Sequence, residues 1–150
     1  MVVTVLYRIA GSPDVSGLAN PFSDVADGLW YKNAVIWAAD RGIVSGIGGG
    51  LFAPERNITR QDLTVMLNNY AVRMGLALLE TRGYDGFVDH ADIANYALEA
   101  IERFFKIGIV NGKPGGIFDP QGEATRAELA TMLNGFMEAI IPKEQEETNE

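Results

Sequence analysis

Residues 42–68 read GIVSGIGGGLFAPERNITRQDLTVMLN, and residues 108–134 read GIVNGKPGGIFDPQGEATRAELATMLN. The two segments align without a gap at an offset of 66 residues. Four blocks match in this register: a Gly-Ile-Val turn, a Gly-Gly-x-Phe-x-Pro loop, a Thr-Arg pair and a Met-Leu-Asn fragment. Agreement at one fixed period indicates a repeat protein, in which each copy is one supersecondary unit.

The match continues towards the N-terminus. Residues 22–24 (FSD) pair with residues 87–89 (FVD) at an offset of 65, and Trp30 pairs with Tyr96 at an offset of 66. One inserted residue therefore separates these blocks, and each repeat extends over a first half as well as the better matched second half.

The first residues of the chain resemble the end of a repeat. Residues 3–8 (VTVLYR) are similar to residues 64–69 (TVMLNN), which lie in the last predicted helix of a repeat. We therefore predict the last helix and linker of a truncated repeat, two full repeats and a disordered acidic tail, at residues 1–20, 21–85, 86–142 and 143–150.

Helical periodicity dominates the first half of each repeat. Apolar residues recur at helical spacing over residues 30–40 and 93–107, and Gly42 and Gly108 then follow as left-handed C-terminal residues. Asp92 is the predicted N-cap of the second of these helices. The aromatic side chains predicted to lie in the core, and not to serve as platforms for a sugar, are Trp30, Trp37, Phe104 and Phe105.

The second half of each repeat begins at a capping box. Thr59 is followed three residues later by Asp62, and Thr125 is followed by Glu128. The Thr hydroxyl accepts from the third helical amide, and the acidic side chain reaches back to the amide of the Thr. Because Asp62 is shorter than Glu128, we expect the first box to be looser. The repeat is therefore predicted to be a helix–loop–helix unit in an all-α domain without a sheet.

Composition excludes several classes of site. The 150 residues include no cysteine and one histidine, which leaves no thiolate site and little scope for histidine chemistry. The net charge of −8 without a basic cluster argues against nucleic acid as a partner. No apolar run reaches the roughly 20 residues that span a bilayer. The spacing of Asp85, Asp89 and Asp92 does not match an EF-hand loop, so no metal or other cofactor is predicted.

Taken together, these motifs resemble the S-layer homology family. The resemblance is carried by residues 22–25 (FSDV), 38–46 (AADRGIVSG), 52–54 (FAP) and 58–60 (ITR), and by 124–129 (ATRAEL) in the second repeat. It covers nearly the whole chain except about the last eight residues. It implies tandem repeats packed as a pseudo-threefold helical bundle, here a partial one. It also implies an extracellular protein at the bacterial cell wall that binds secondary cell-wall polysaccharide, often through a ketal-pyruvylated sugar.

The resemblance also implies which residues bind the polymer. The family's main ligand contact is the Arg of its Thr-Arg-Ala-Glu motif, and ligand grooves lie between neighbouring repeats. The Asp of the Phe-x-Asp motif and the glycines of the loop are further contacts. Carried over residue by residue, the predicted ligand-binding positions are Arg60, Arg126, Asp24, Asp89, Gly46 and Gly112.

A helix N-terminus suits the binding of a carboxylate by an Arg side chain. The first turn offers unpaired amides and about half a positive charge, and a guanidinium adds a planar, bidentate fork for a carboxylate. Position alone is also compatible with structural roles. An Arg in a first turn is commonly a surface residue or the partner of an acidic side chain, and Asp24 and Asp89 suit turns or caps equally well.

The sequence departs from the family pattern at several points. The first motif reads Thr-Arg-Gln-Asp at residues 59–62, and the second repeat has Tyr96 where Trp is usual. Because the truncated repeat lacks its Arg motif, we expect one incomplete groove and an apolar face on the first helix that needs another cover, from a missing segment or from a homodimer. An alternative function is a structural or oligomerisation module that has lost glycan binding. Catalysis on wall glycan is a third, which we reject because the repeat accounts for every acidic motif.

Overall fold

The structure is a computed structural model, and it describes residues 1–140. It contains five α-helices and two short 3-10 turns at His90–Asp92 and Asn95–Ala97. No strand forms within the described range, where only isolated bridges join loop residues. The all-α prediction is therefore confirmed, while the predicted acidic tail lies outside the described residues. The helices are α1 Val2–Ile9, α2 Lys32–Asp40, α3 Arg60–Arg73, α4 Leu98–Ile107 and α5 Arg126–Ile140.

The first helix of each repeat packs against the second helix of the unit before it. Helix α2 contacts α1, and α4 contacts α3. A chain of aromatic side chains links these pairs through the core, with centroids 5.5 Å apart for Tyr7 and Trp37, 6.2 Å for Trp37 and Tyr70, and 5.8 Å for Tyr70 and Phe136. The core is therefore continuous across the repeat boundaries, as expected when no single repeat can bury its own apolar face.

The apolar face of α1 is covered, contrary to expectation. Val2, Val3 and Leu6 are at most 5% exposed, because α2 packs on that face. The prediction that this helix needs another cover was therefore wrong. Sequence similarity identified α1 as a second-half helix, but it did not show that such a helix is covered by the next repeat along the chain.

The uncovered second-half helix is α5. Thr64 and Ala71 of α3 are fully buried, whereas Ala130 and Met137, 66 residues later in α5, are exposed. The face of α3 that α4 covers thus has an equivalent in α5, and no helix among residues 1–140 lies on it.

Two predictions for the first-half helices fail at the N-terminal ends. Helix α2 begins at Lys32, and Trp30 is 68% exposed, so its prediction as a core residue was wrong. Helix α4 begins at Leu98 after the two 3-10 turns, and Asp92 lies in the first of these turns and is not an N-cap. The extended backbone of Ile93 interrupts the helical pattern at that point. Trp37 and Phe104 are fully buried as predicted, and Phe105 is half-buried.

The predicted helix ends are otherwise confirmed. Gly42 and Gly108 have φ values of 71° and 93° after α2 and α4. The Thr59 hydroxyl accepts from the Asp62 amide at 3.2 Å, but the Asp62 carboxylate does not return to Thr59. Glu128 completes its box, because its amide donates to the Thr125 hydroxyl and its carboxylate accepts from the Thr125 amide at 3.2 Å.

A left-handed residue other than glycine follows the Phe of each inter-helix loop. Ala53 and Asp119, which are repeat equivalents, both have a φ of 58°. For an L-residue this conformation costs roughly 1–2 kcal/mol. Because both repeats keep it, the loop must be held in this shape by contacts elsewhere.

We expect Ala53→Gly to stabilise the protein by up to about 1 kcal/mol, because glycine adopts positive φ without the clash of a Cβ atom. Urea unfolding would measure the change. The matched control is Ala77→Gly at an exposed loop position without positive φ, which should not stabilise. A destabilised Ala53→Gly variant would show that the methyl group contributes more than the strain removes.

Candidate ligand groove between the repeats

Asp24 and Asp89 hold the loops of their own repeats. The Asp24 carboxylate accepts from the amides of Phe52 at 2.9 Å and Ala53 at 2.7 Å. Asp89 accepts in the same way from Phe118 at 2.9 Å and Asp119 at 2.8 Å. The bond from the Phe52 amide, with that from Ala53, holds the pKa of Asp24 below its ordinary value against the effect of desolvation. These paired bonds fix the left-handed residue, which supports the turn role that the sequence left open.

Gly46 and Gly112 are also required by the loop itself. A Cβ atom on Gly112 would lie 2.6 Å from the ring of Phe87, and one on Gly46 would lie 2.6 Å from the ring of Phe22. Both glycines have positive φ, at 77° and 76°. Each glycine thus lets the Phe of the Phe-x-Asp motif pack directly against the backbone. Their presence therefore has a structural reason that does not depend on a ligand.

One cavity brings two of the predicted site residues together. It has a volume of about 230 Å³ and lies where the N-terminus of α3 meets the second repeat. We call it the Arg60 groove. Its first wall is Arg60, and its second wall is formed by the loop after α4 and the first two turns of α5. The polar or glycine positions in its lining are Arg60, Asn111, Gly112, Glu128 and Thr131.

The guanidinium of Arg60 is buried in this groove and has several partners. Arg60 is 7% exposed. Its Nε donates to the carbonyl of Phe118 at 2.7 Å, and its Nη1 lies 2.9 Å from Oε2 of Glu128. The ring of Phe118 lies 5.2 Å from the guanidinium carbon. Arg60 of the first repeat is therefore held in place by the second repeat.

The amides at the start of α3 are not available to a ligand. Arg60 donates its amide to the carbonyl of Gly122 at 2.9 Å, Gln61 donates to Pro120 at 3.0 Å, and Asp62 donates to the hydroxyl of Thr59. The expectation of unpaired amides beside Arg60 was therefore wrong. The loop of the second repeat folds over the helix end and satisfies its donors, so charge capture in this groove depends on the side chain.

Arg126 occupies a different environment from Arg60. It is exposed, and its side chain makes no hydrogen bond or ion pair with the described residues. The amides of Arg126 and Ala127 likewise have no acceptor within residues 1–140. The repeat copies the position of Arg60, but the loop that would form the opposite wall is not supplied by this part of the chain.

Glu128 is a residue of the candidate groove that sequence reasoning missed. The sequence identified it only as part of a capping box, and nothing in the spacing places it against Arg60. Burial disfavours its charge, but the Thr125 amide and the Arg60 guanidinium outweigh this and hold its pKa below the ordinary value. Asn111 and Thr131 were also missed as lining residues. The family resemblance carried both Gly46 and Gly112 into the prediction, and Gly112 is the one that lines this groove.

The other sizeable depression is a poorer candidate for an acidic ligand. It is a wide, open surface of about 520 Å³ beside Tyr84, His90 and Glu102, with Asp85 at its edge. Its charged lining is acidic, and it contains no Arg or Lys. Over residues 1–140, no group of three potential metal ligands comes together. None of the described helices has the length and apolarity needed to cross a membrane.

Comparison with known proteins supports the repeat assignment. The model of the family described as "S-layer homology domain" matches residues 21–64 and 86–130, which together exceed half of the chain. The chain belongs to the S-layer homology domain family. The S-layer homology matches coincide with the two repeats that include Asp24, Arg60, Asp89 and Arg126.

Curated relatives share this region. The chain is 37% identical over 117 residues to an amylopullulanase from Thermoanaerobacterium thermosulfurigenes, covering 78% of this chain and 6% of that protein. It is 36% identical over 117 residues to exoglucanase XynX from Acetivibrio thermocellus, covering 78% and 11%. It is 34% identical over 104 residues to a cellulosome-anchoring protein from Acetivibrio thermocellus, covering 68% and 22%. The chain therefore spans only a minor part of these relatives.

The family membership confirms the resemblance seen in the sequence and its general function. S-layer homology domains are cell-wall anchoring modules found at the bacterial cell surface. Several relatives have enzyme names, but the matches are to their S-layer homology parts. The similarity to an amylopullulanase therefore concerns the shared module.

The two hydrogen bonds that Asp24 accepts from the Phe52 and Ala53 amides give a testable pH dependence. Because the pKa of Asp24 is lowered in the folded protein, its charged form stabilises the fold above the unfolded pKa of about 4. This contribution is lost as the pH falls from about 4 through the lower pKa of the folded state. We expect Asp24→Asn to lower Tm at pH 7, with a smaller difference from wild type at pH 3. Asp85→Asn, which removes the same charge from an exposed loop position, is the control. An equal loss of Tm at both pH values would contradict a role for the charge.

Proposed function

We propose that this module anchors its protein non-covalently by binding a carboxylate-bearing secondary cell-wall polysaccharide, such as a ketal-pyruvylated polymer, in the Arg60 groove. The observation that carries the proposal is the buried Arg60 guanidinium in the wall of a cavity between two repeats. A permanently charged, planar group in a site shielded from water binds a carboxylate more strongly than an exposed one does. In this proposal the chain has no catalytic role, and the enzymatic activities named for its relatives belong to those proteins.

The lining of the groove suits part of a sugar chain. The amide nitrogen of Asn111 can donate to a sugar hydroxyl, and the Thr131 hydroxyl, which donates to the Ala127 carbonyl at 2.8 Å, can still accept from one. The volume of about 230 Å³ is below the range of roughly 300–1,000 Å³ usual for pockets that enclose whole small molecules. The groove therefore accommodates one acidic unit while the rest of the polymer remains in solvent.

The other predicted site residues have supporting roles in this proposal. Asp89 and Gly112 hold the loop whose residues form the second wall of the groove. Asp24 and Gly46 hold the equivalent loop of the first repeat. Arg126 is exposed and has no opposite wall among residues 1–140, so we expect it to contribute little to binding.

Separate substitutions of the two arginines test the proposal. We expect Arg60→Ala to weaken retention of the protein on bacterial cell-wall sacculi by about 10- to 100-fold, which is the loss of a charge-assisted contact of roughly 1.5–3 kcal/mol. Arg126→Ala, the matched control at the equivalent position, should stay within about twofold of wild type. The measurement is co-sedimentation with intact sacculi and with sacculi stripped of the secondary polymer.

Loss of structure must be distinguished from loss of the contact. Arg60→Lys keeps the positive charge but cannot reach the Phe118 carbonyl and Glu128 with one rigid group, so it should bind weakly while remaining folded. Circular dichroism and thermal unfolding would establish that each variant is folded. Retention of a folded Arg60→Ala variant at the wild-type level, or equal retention on stripped sacculi, would overturn the proposal.

A second candidate function is self-association, which the exposed face of α5 favours. Ala130 and Met137 are exposed where their equivalents in α3 are covered by a helix. A second copy of the chain that packs on this face would bury it. The contact would then be made by α5 and not by α1.

Solution mass tests the second candidate. If the α5 face mediates a dimer, light scattering should give twice the monomer mass, and Met137→Lys should restore the monomer without changing retention on sacculi. Met74→Lys is the control, because Met74 is 37% exposed and Met137 is 36% exposed, but Met74 ends α3 away from this face. A monomeric wild type at all concentrations would exclude this function.

A further inference from the structure

Glu128 occupies the Arg60 guanidinium in the way that a ligand carboxylate would. We propose that Glu128 is an internal competitor of the acidic ligand, so that the polymer binds by displacing Glu128 from Arg60. This inference rests on the proposed function and adds the residue that limits the affinity of the groove for an anion. It also makes Glu128 a determinant of specificity, because only a ligand with its own anionic group can take over the contact.

The geometry makes Glu128 the member of the pair that can leave. Oε2 of Glu128 serves two donors, Nη1 of Arg60 at 2.9 Å and the Thr125 amide at 3.2 Å. The Glu128 side chain is 29% exposed, whereas that of Arg60 is 8% exposed. When Glu128 rotates into solvent, water hydrates its carboxylate, and the exposed Thr125 amide is hydrated as well. Arg60 stays in place because its Nε is bonded to the carbonyl of Phe118.

The charges in the groove explain why displacement is needed. Arg60 is the cationic residue in the lining, and Glu128 neutralises it. Lys113, in the adjoining loop, is paired with Asp119 at 2.6 Å. A ligand carboxylate that entered beside an intact pair would meet a second negative charge, and no cationic side chain besides Arg60 lines the groove to offset it. Like charges a few ångströms apart repel strongly at the low effective dielectric constant of a partly buried site.

The first repeat provides a natural contrast. Asp62 holds the same position in its capping box, 66 residues before Glu128. Its carboxylate accepts from the hydroxyl of Tyr96 at 2.5 Å, and it forms no ion pair with the described residues. Burial, with the contribution of Asp62, raises the pKa of Tyr96 to about 12, so Tyr96 remains the proton donor. Asp62 and Glu128 thus share a position and a charge, but only Glu128 contacts the groove arginine.

The test compares neutral variants at these two positions. Isothermal titration calorimetry at fixed ionic strength would measure binding of wild type, Glu128→Gln and Asp62→Asn to purified secondary cell-wall polysaccharide. Each protein would be titrated with the native pyruvylated polymer and with the same polymer after mild acid removal of its pyruvate. Glutamine retains an oxygen that accepts from the Thr125 amide, so the variant removes the charge and keeps the cap.

We expect Glu128→Gln to bind the native polymer about tenfold more tightly than wild type, because the competing charge is gone and a neutral amide oxygen holds the guanidinium more weakly than a carboxylate does. Asp62→Asn should bind as wild type does, and the gain should disappear on the pyruvate-free polymer. A gain in affinity cannot result from partial unfolding, which only weakens binding. If Glu128→Gln does not fold, NMR of the wild-type protein tests the same inference. The ¹³C signal of the Glu128 carboxyl should shift on saturation with native polymer.

Each contrary result has a distinct meaning. Equal or weaker binding by folded Glu128→Gln, with wild type bound and Arg60→Ala not bound, would overturn the inference and leave the proposed function standing. In that case Glu128 positions Arg60 for the ligand. An unchanged Glu128 carboxyl signal at saturation would likewise overturn the inference. If no variant binds native polymer above the pyruvate-free control, the proposed function is wrong and the inference falls with it.

Discussion

The buried charge of Arg60 is the constraint on which the repeat boundary depends. A guanidinium that is 7% exposed is unfavourable unless other groups compensate it, and all its compensating partners come from the second repeat. The Phe118 carbonyl, the Phe118 ring and the Glu128 carboxylate can reach it only if the loop folds over the start of α3. That loop then satisfies the first amides of α3 through the carbonyls of Gly122 and Pro120. The same loop therefore caps α3, compensates the charge of Arg60 and joins the two repeats, and the groove forms where these contacts are made.

The two repeats share their local structure, but equivalent residues do not share the same surroundings. Asp24 and Asp89 make the same two bonds to the same loop positions, and both bonds hold a left-handed residue at a φ of 58°. These contacts lie within one unit, so duplication of the sequence reproduces them. Arg60 and Arg126 share a motif, yet one is buried between repeats and the other is exposed. What a repeat residue does at a boundary is decided by the neighbouring unit, which the motif does not encode.

The same distinction explains what the sequence could predict. Capping boxes, C-terminal glycines and helical periodicity are local signals, and they located four of the five helices and the all-α class. The partner of α1 and the acceptors for the first amides of α3 depend on contacts between units, and these expectations failed. The expectation for Trp30 failed for a local reason, because Trp30 precedes α2, which begins at Lys32. Family resemblance supplied Arg60 and Gly112, which do meet in one groove. It could not supply Glu128, because a capping residue and a groove residue have the same sequence signature. The pseudo-threefold arrangement and the domain bounds stay predictions.

Anion recognition by an acidic chain requires short-range selectivity. The chain has a net charge of −8, so an acidic polymer is repelled once it comes within the screening length, which is roughly 8 Å at physiological salt. Attraction must then arise inside the groove, where screening is weaker and geometry decides which anion fits. An unpaired buried arginine in the groove would destabilise the free protein. When Arg60 is paired with Glu128, the free protein avoids this cost, and in our proposal a ligand carboxylate can still replace Glu128. In our proposal such a pair lowers the affinity of the groove for an anion, and the ligand must recover that loss through its own contacts with Arg60.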